Sequence, residues 1–199
     1  MLFRSVNPKR TELRGLRAYP SVLDIPGDVD TAIVAVPTGA VLGVMTDCVR
    51  KGIPSATIIT SGFSAEGAGS EGRERGAKLA ALIRESGIRV LGPNTAGLVN
   101  LNDAYVPRAA HNQLDPDRVK AGAVALVTQS GACSNILFNQ AQANGVGIGL
   151  SVATGDQVDL DLWEVCDFAL DDARIQIVLV VAEALGDPAR LRSEEHTSE

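Results

Sequence analysis

Residues 123–132 read AVALVTQSGA, and this stretch decides the fold class. Its first six residues are an apolar run with the length of a buried strand, and Gln129-Ser130-Gly131 then makes a turn. A segment of helical character follows, to about residue 144. A strand, a short turn and a helix in this order are typical of parallel α/β proteins.

The same alternation continues on both sides of this stretch. Upstream, the patterns predict strands at 31–36, 55–60 and 88–91 and helices at 39–51 and 70–85. Downstream, predicted strands at 147–153 and 175–181 flank a helix at 159–170. Helical spacing also predicts the inner faces of the first two helices, which are Val41, Val44, Met45 and Cys48, and then Ala77, Ala80, Ala81 and Leu82.

Residues 101–121 lose this periodicity and contain Pro107 and Pro116, as linkers do. We therefore predict two open α/β units in series, a domain at 1–110 and a domain at 122–191, joined by a linker at 111–121. The final residues, 192–199, continue no earlier pattern and match a translated sequencing-library adapter. We interpret them as a non-native tail; a native polar helix start is the alternative.

Composition and charge exclude several classes of protein. Hydrophobic residues make up 45% of the chain and aromatic residues only 4%, which suits sheets covered on both faces by helices. The net charge of −6 argues against nucleic acid or an anionic membrane surface as a partner. No apolar run approaches the roughly 20 residues of a membrane span, and no secretory signal is evident. Three widely spaced cysteines argue against a disulfide framework, so we predict a cytoplasmic protein.

The predicted carboxyl ends of the strands carry small, hydroxyl-bearing and glycine residues. Ligands of open parallel sheets bind at these ends, and backbone N–H groups at helix N-termini attract phosphate or carboxylate. Glycine and serine also suit tight turns without any ligand, which is the alternative for each turn alone. The shared chemistry favours a binding edge, made by Pro37-Thr38-Gly39, Thr60-Ser61-Gly62-Phe63, Gly92-Pro93-Asn94, Gln129-Ser130-Gly131-Ala132, Thr154-Gly155-Asp156 and Glu183.

Several known signatures are absent from the sequence. There is no GxxxxGK[ST] phosphate loop, no GxGxxG turn followed by an acidic residue, and no GxSxG nucleophile turn. His111 falls in the predicted linker, which argues against a Ser-His-Asp triad. Asp156, Asp159 and Asp161 are interpreted as helix-capping acids, so no metal site is predicted.

Taken together and in this order, the motifs resemble those of the acyl-CoA synthetases of the NDP-forming type. That family includes ADP-forming acetate–CoA ligase and is related to the alpha subunit of succinyl-CoA synthetase. The resemblance covers residues 2–191, and its most specific part is GPNxxG followed by QSGA. The motifs that carry it are Val6-Asn7-Pro8-Lys9, Ala35-Val36-Pro37, Ile59-Thr60-Ser61-Gly62-Phe63, Gly92-Pro93-Asn94-Thr95-Ala96-Gly97, Val127-Thr128-Gln129-Ser130-Gly131-Ala132, Gly155 with Asp159, and Ala182-Glu183.

The resemblance implies a Rossmann-like CoA-binding domain, incomplete because its first β-α unit is missing, followed by a truncated flavodoxin-like ligase domain. It implies the reversible formation of acyl-CoA from a small carboxylic acid, CoA and ATP, through an acyl phosphate and a phosphohistidine. ATP or ADP with Mg²⁺ would bind at a site outside this chain, on an ATP-grasp subunit or domain. We therefore expect this piece to be inactive alone.

The resemblance also implies roles for individual residues. Glu183 would orient the phosphohistidine, which the chain lacks, and Ser130, Gly131 and Ala132 would hold its phosphate at a helix N-terminus. A side chain at Gly131 is expected to block that phosphate and leave most of the fold intact. The residues implied to bind CoA are Lys9, Pro37, Thr60, Ser61, Gly62 and Asn94.

Two other classes of protein remain as alternatives. One is a CoA-binding regulatory domain, for example of a protein acetyltransferase. The other is a dinucleotide-dependent oxidoreductase, which the absence of a ribose-binding acid after a glycine fingerprint disfavours.

Overall fold

The computed structural model describes residues 3–109 and 119–185. The chain divides into two compact units, one up to Val90 and the other from Leu91. The predicted tail at 192–199 and most of the predicted linker lie outside the described residues. The mixed α/β architecture with parallel strands confirms the predicted fold class.

The first unit opens with a small sheet that the sequence patterns did not predict. Strands β1 (Ser5–Val6), β2 (Glu12–Leu13) and β3 (Leu16–Tyr19) lie in the order β1-β3-β2. Strand β1 is parallel to β3, whereas β2 pairs with β3 as an antiparallel hairpin. The two hairpin-turn residues, Arg14 and Gly15, have φ angles of 50° and 77°, as a tight hairpin turn requires. Strands of two to four residues are too short to show an alternating pattern.

The rest of the first unit alternates strands and helices as predicted. Its elements are β4 (Ala32–Val34), α1 (Thr38–Lys51), β5 (Ser55–Ile58), α2 (Ala65–Ser86) and β6 (Arg89–Leu91). The sheet order is β4-β5-β6, with β4 parallel to β5. Helix α1 ends at Gly52, whose φ of 78° closes the helix in the left-handed conformation.

The predicted inner face is correct in large part for α1 and only partly correct for α2, where Ala80, Ala81 and Leu82 are partly buried. Val41, Met45 and Cys48 of α1 are buried, and Val44 is partly exposed. In α2 the buried side chains are Leu79 and Ile83, whereas Ala77 is exposed. Alanine suits either face of a helix, so the larger side chains decide which face packs on the sheet. Gly76 also lets α2 pack closely, because a Cβ at this position would lie 2.4 Å from the Phe63 carbonyl oxygen.

The second unit is built on one mixed sheet. Its elements are β7 (Gly97–Asn100), β8 (Val124–Thr128), α3 (Gly131–Ala143), β9 (Ile148–Ala153), α4 (Leu162–Leu170) and β10 (Ile177–Val181). The sheet order is β10-β8-β9-β7, with β8 parallel to both neighbours and β7 antiparallel to β9. Helix α4 begins later than predicted, because the Asp161 carboxylate caps it by accepting a hydrogen bond from the Glu164 N–H at 2.9 Å.

The core of the second unit covers both faces of this sheet. Ala125 and Val127 of β8 pack with α4, whereas Leu126 packs with Phe138 of α3. Strand β9 is buried along its whole length. Strand β10, in contrast, has one described neighbour and leaves Ile177 60% and Leu179 47% exposed.

The two units divide at a different place from the predicted domain boundary at residue 110. Strand β7, at 97–100, lies inside the predicted first domain but pairs with β9 of the second unit. Residues 110–118, where the predicted linker begins, are outside the described residues. The boundaries 1–110, 111–121 and 122–191 therefore stay a prediction.

Candidate functional site

Two predicted turns of the first unit lie side by side at the carboxyl ends of β4 and β5. The Thr60 hydroxyl donates to the Val36 carbonyl oxygen at 2.7 Å. In return, the Thr38 hydroxyl donates to the Ser61 carbonyl oxygen at 3.0 Å. These bonds bring Pro37 together with Thr60, Ser61 and Gly62, as expected for one binding edge.

Helix α1 begins at this edge, next to the Ser61-Gly62 turn. Pro37 is the N-cap of α1 and supplies no side-chain hydrogen bond to the helix, so the first N–H groups of α1 are not capped by a side chain. Gly62 has a φ of 97°, and a Cβ there would lie 3.0 Å from the Thr38 methyl carbon. The Gly62 carbonyl oxygen is held by the Arg75 Nε at 2.9 Å. Glycine at this position thus keeps the two turns close.

Lys9 lies in the loop after β1, and Asn94 lies in the second unit. The Asn7 carboxamide oxygen accepts from the Lys9 N–H at 2.9 Å and shapes that loop, and the Lys9 side chain is exposed. Among the described residues, no hydrogen bond joins Lys9 to the Thr60 turn. Asn94 has a φ of 59°, and its Nδ2 donates to the Asp156 carboxylate at 3.1 Å.

Three predicted motif turns meet at one end of the second unit. The Gly155 N–H donates to the Gln129 carbonyl oxygen at 3.1 Å, and the Asp156 N–H donates to the Pro93 carbonyl oxygen at 2.8 Å. The Thr95 hydroxyl bonds the Ala153 carbonyl oxygen and accepts from the Gly97 N–H at 2.8 Å. The GPNTAG, TQSGA and TGD segments therefore form one connected edge.

Ser130 caps helix α3 at this edge. Its hydroxyl oxygen accepts from the Cys133 N–H at 3.3 Å, and its carbonyl oxygen accepts from the Ser134 N–H at 3.0 Å. The N–H groups of Gly131 and Ala132 have no protein acceptor among the described residues. Such groups at a helix start are donors for an anion, with the field of the helix adding to the attraction.

Gly131 has a packing reason to be glycine. A Cβ at this position would lie 2.9 Å from the Ala96 Cβ and 3.2 Å from the Ala96 nitrogen. The expectation that a side chain at Gly131 leaves most of the fold intact stays a prediction, and the structure adds a local steric contact that it did not include. Such a substitution would push the Ala96 turn away from α3 as well as obstruct a ligand.

Gln129 was predicted only as part of the strand-end turn, and the structure gives it a supporting role that the sequence patterns did not predict. Its buried side chain accepts from the N–H groups of Glu183 and Ala184 at 2.6 and 2.8 Å, and its Nε2 donates to the Ala184 carbonyl oxygen at 2.7 Å. The side-chain amide of Gln129 thus makes the hydrogen bonds that a neighbouring backbone would make, and it holds the chain in place just after β10. The Glu183 side chain itself is exposed. The sequence feature that could have indicated this supporting role is a glutamine placed directly after an apolar strand.

Arg108 is a second residue that the patterns missed. It bonds the Asn135 carboxamide oxygen of α3, and its guanidinium lies 5.2 Å from the centre of the Phe138 ring. Burial lowers the pKa of this guanidinium from its usual value. Arg108 packs along α3 one helical turn from Gly131, because Asn135 is four residues further along that helix.

A cluster of three charged side chains lies at the opposite end of the sheet, before β10. Arg174 bonds the Asp103 carboxylate at 2.8 and 3.0 Å and the Asp172 carboxylate at 2.7–3.1 Å. Hydrogen bonds from Arg174 lower the pKa of Asp172 to about 2 and also lower the pKa of Asp103. Because these folded-state pKa values lie below those of the unfolded chain, the cluster stabilises the fold above about pH 4. The contribution is lost as the pH falls towards 2.

Replacing Arg174 by glutamine should raise the pKa of Asp172 from about 2 towards its ordinary value near 4. The reason is that glutamine removes both the charge and the paired N–H donors. A carboxyl titration followed by NMR measures this pKa directly. The exposed pair Lys78 and Glu74 provides a control, since Lys78→Gln should leave Asp172 unchanged. If the pKa of Asp172 stays near 2 in Arg174→Gln, Arg174 is not the cause of its lowered pKa.

The described residues contain no group of three or more His, Cys, Asp or Glu side chains placed to hold a metal ion. Within the same residues, no helix combines the length and the hydropathy that crossing a bilayer requires.

Comparisons with known proteins match both halves of the chain. A CoA binding domain family matches residues 4–101, and a succinyl-CoA ligase like flavodoxin domain family matches residues 121–196. The ADP-forming acetate–CoA ligase II of Archaeoglobus fulgidus is 35% identical over 182 residues, which are 90% of this chain and 26% of that protein. The alpha subunit of the ADP-forming acetate–CoA ligase I of Pyrococcus furiosus is 33% identical, over 89% of this chain and 37% of that subunit.

A solved structure agrees with these relatives. The apo form of the dinucleotide forming acetyl-coenzyme A synthetase 1 of Ca. Korarchaeum cryptofilum superposes with a TM-score of 0.81 at 34% identity. The match covers 94% of this chain and 39% of that one. The chain thus spans about a quarter to two fifths of the length of these proteins. Its two matched domains, its relatives and its fold agree, and the chain belongs to the NDP-forming acyl-CoA synthetase family.

Proposed function

We propose that this chain is the CoA-binding part of an acid–thiol ligase that makes acyl-CoA from a small carboxylic acid, CoA and ATP, and that also runs in reverse. The observation that carries the proposal is the pairing of two family domains with two connected turn edges, one in each unit. The comparisons lend no support to the alternative of a regulatory domain of a protein acetyltransferase, because the named relatives are ligases and a CoA synthetase.

In this proposal, CoA binds the edge of the first unit. Pro37, Thr60, Ser61 and Gly62 would surround it, with the uncapped N–H groups of α1 as donors to its phosphates. Lys9 would add a cation, and Asn94 would shape the Asp156 turn of the second unit. The positive φ of Gly62 suits glycine, which lets Thr38 and the Ser61 turn lie close together beside the proposed phosphate donors.

The edge of the second unit would serve the phosphoryl step. The N–H groups of Gly131 and Ala132 would receive the phosphate of a phosphohistidine, and Ser130 would hold the helix start in place. Glu183 would accept a hydrogen bond from that imidazole and orient it. ATP or ADP with Mg²⁺ would act at a nucleotide site outside this chain, on an ATP-grasp partner. Phosphate and the carboxylic acid complete the set of small-molecule partners.

The proposal is tested first by titrating CoA into this chain in a calorimeter. We expect binding, with Lys9→Gln weakening it about tenfold, because a charge-assisted hydrogen bond to phosphate is worth roughly 1.5–3 kcal/mol. Lys120→Gln is the control, since Lys120 lies in the second unit, before β8. A folded chain that does not bind CoA would contradict the proposed function. ATP-dependent thioester formation by this chain alone would contradict the need for an ATP-grasp partner.

In the complete enzyme, Glu183→Gln should reduce phosphohistidine formation by at least about tenfold and leave CoA affinity unchanged. A carboxylate stabilises the imidazolium more than a carboxamide does, and each 1.4 kcal/mol is a factor of ten. Incorporation of radiolabelled phosphate measures the first quantity and calorimetry the second. Glu164→Gln serves as the control, because Glu164 lies in the first turn of α4. Unchanged phosphorylation in Glu183→Gln would refute the assignment.

A further inference from the structure

The charges of this chain are distributed unevenly along it. Residues 3–20 contain five cations and a single acid, Glu12, although the whole chain has a net charge of −6. The cations are Arg4, Lys9, Arg10, Arg14 and Arg17. The small sheet β1-β3-β2 therefore presents a basic surface within an acidic protein.

Three of these cations line one groove. The groove has a volume of about 470 Å³, and its walls include Asn7, Lys9, Arg10, Thr11, Arg17 and Pro20. Lys9, Arg10 and Arg17 are exposed, and none of them forms an ion pair with a carboxylate of the described residues. Their charges are thus available to an anionic ligand.

The backbone around this groove is held in place by the sheet. The Asn7 N–H donates to the Tyr19 carbonyl oxygen at 2.8 Å, and the Ala18 N–H donates to the Thr11 carbonyl oxygen at 2.8 Å. Arg17 lies opposite Glu12 in the hairpin register, yet its guanidinium carbon sits 4.8 Å from the centre of the buried Tyr19 ring. Stacking on a buried ring restricts the guanidinium, so less entropy is lost when it binds a ligand.

We propose that Arg10 and Arg17, together with Lys9, bind the 3′-phosphate of CoA and make the chain discriminate CoA from dephospho-CoA. This inference rests on the proposed function. A phosphate monoester carries about −1.5 to −2 charge near pH 7 and three terminal oxygens, as phosphorylated side chains do. In the diphosphate bridge of CoA, each phosphorus carries two terminal oxygens and one negative charge. Two guanidinium forks and an ammonium therefore match the monoester better.

The experiment compares CoA with dephospho-CoA, which lacks only the 3′-phosphate, by calorimetry on this chain. The unaltered chain should prefer CoA by at least about tenfold, because one charge-assisted contact already accounts for that factor. The variant Arg10→Gln/Arg17→Gln should reduce the preference to about one while its affinity for dephospho-CoA stays unchanged. Arg4→Gln, which removes an exposed cation outside the groove, should keep the full preference.

Three results would overturn the inference, and they are distinguishable. Equal affinities of the unaltered chain for CoA and dephospho-CoA would refute it and leave the proposed function standing. If the double variant loses affinity for CoA and for dephospho-CoA by the same factor, the arginines bind the diphosphate instead of the 3′-phosphate. Absence of CoA binding by a chain with a normal melting curve would overturn the proposed function itself, and this inference with it.

Discussion

The substitution Gly155→Ala should destabilise the second unit by roughly 2–5 kcal/mol, one of the largest effects expected from a single methyl group in this chain. Gly155 has a φ of 65°, where a residue with a Cβ costs about 1–2 kcal/mol. Its Cβ would also lie 2.2 Å from the Pro93 carbonyl oxygen, which is backbone and has no rotamer to change. The Pro93–Asn94 turn would have to move away from the TQSGA edge.

Urea unfolding followed by the fluorescence of Trp163 measures this effect. Trp163 is the only tryptophan of the chain and is buried in the core of the second unit. Gly145→Ala is a matched control, because Gly145 has a φ of 78° but only the Lys120 Nζ, at 4.0 Å, near its Cβ. That control should lose about 1–2 kcal/mol from backbone strain alone. Equal losses in the two variants would contradict the steric account.

The substitution Gln129→Leu is expected to cost about 2–4 kcal/mol and to release the segment that carries Glu183. Leucine has a similar size but cannot hydrogen-bond, so the N–H groups of Glu183 and Ala184 and the Ala184 carbonyl oxygen lose their partner. Leaving a buried polar group unsatisfied costs roughly 1–3 kcal/mol, and partial exposure of this segment lets water compensate in part.

Hydrogen exchange resolves this prediction at single amides. Exchange of the Glu183 and Ala184 N–H groups should accelerate in Gln129→Leu, and the Trp163 unfolding curve should shift to lower urea. Gln142→Leu provides the control, since Gln142 makes two similar bonds to the Lys120 backbone at an exposed position. It should change stability by less than about 1 kcal/mol, because water replaces its bonds. Unchanged protection of Glu183 and Ala184 would refute the role of Gln129.

The pattern of the sequence predicted the alternating strands and helices well because their signal is local. The apolar run before Gln129 and the glycine after Lys51 each determine structure within a few residues. The small sheet escaped prediction because its strands of two to four residues are too short to show a pattern. Strand β7 escaped it because its pairing is with distant residues, such as Gly97 with Ala153. A strand of four residues gains its stability from the neighbour it meets, and periodicity does not encode that neighbour.

The candidate site was predicted in the same uneven way. The position of Ser61 and Ser130 at strand ends could be predicted because glycine and hydroxyl residues mark such turns, and their binding roles stay predictions. Gln129 was missed as a support because its contacts span more than fifty residues of sequence. The reason for glycine at 131 was likewise invisible, since it depends on how close Ala96 approaches. Such constraints exist only once the chain is folded.

The apolar edge strand β10 has a consequence for handling this protein at high concentration. Among residues 3–109 and 119–185, β10 pairs on one side only and exposes Ile177 and Leu179, and a strand with these features is a template for self-assembly into β-rich aggregates. Solubility should then fall steeply as the protein is concentrated for crystallisation or NMR. Lysine in place of Leu179 would act as a gatekeeper, because its charge opposes stacking of one copy on the next.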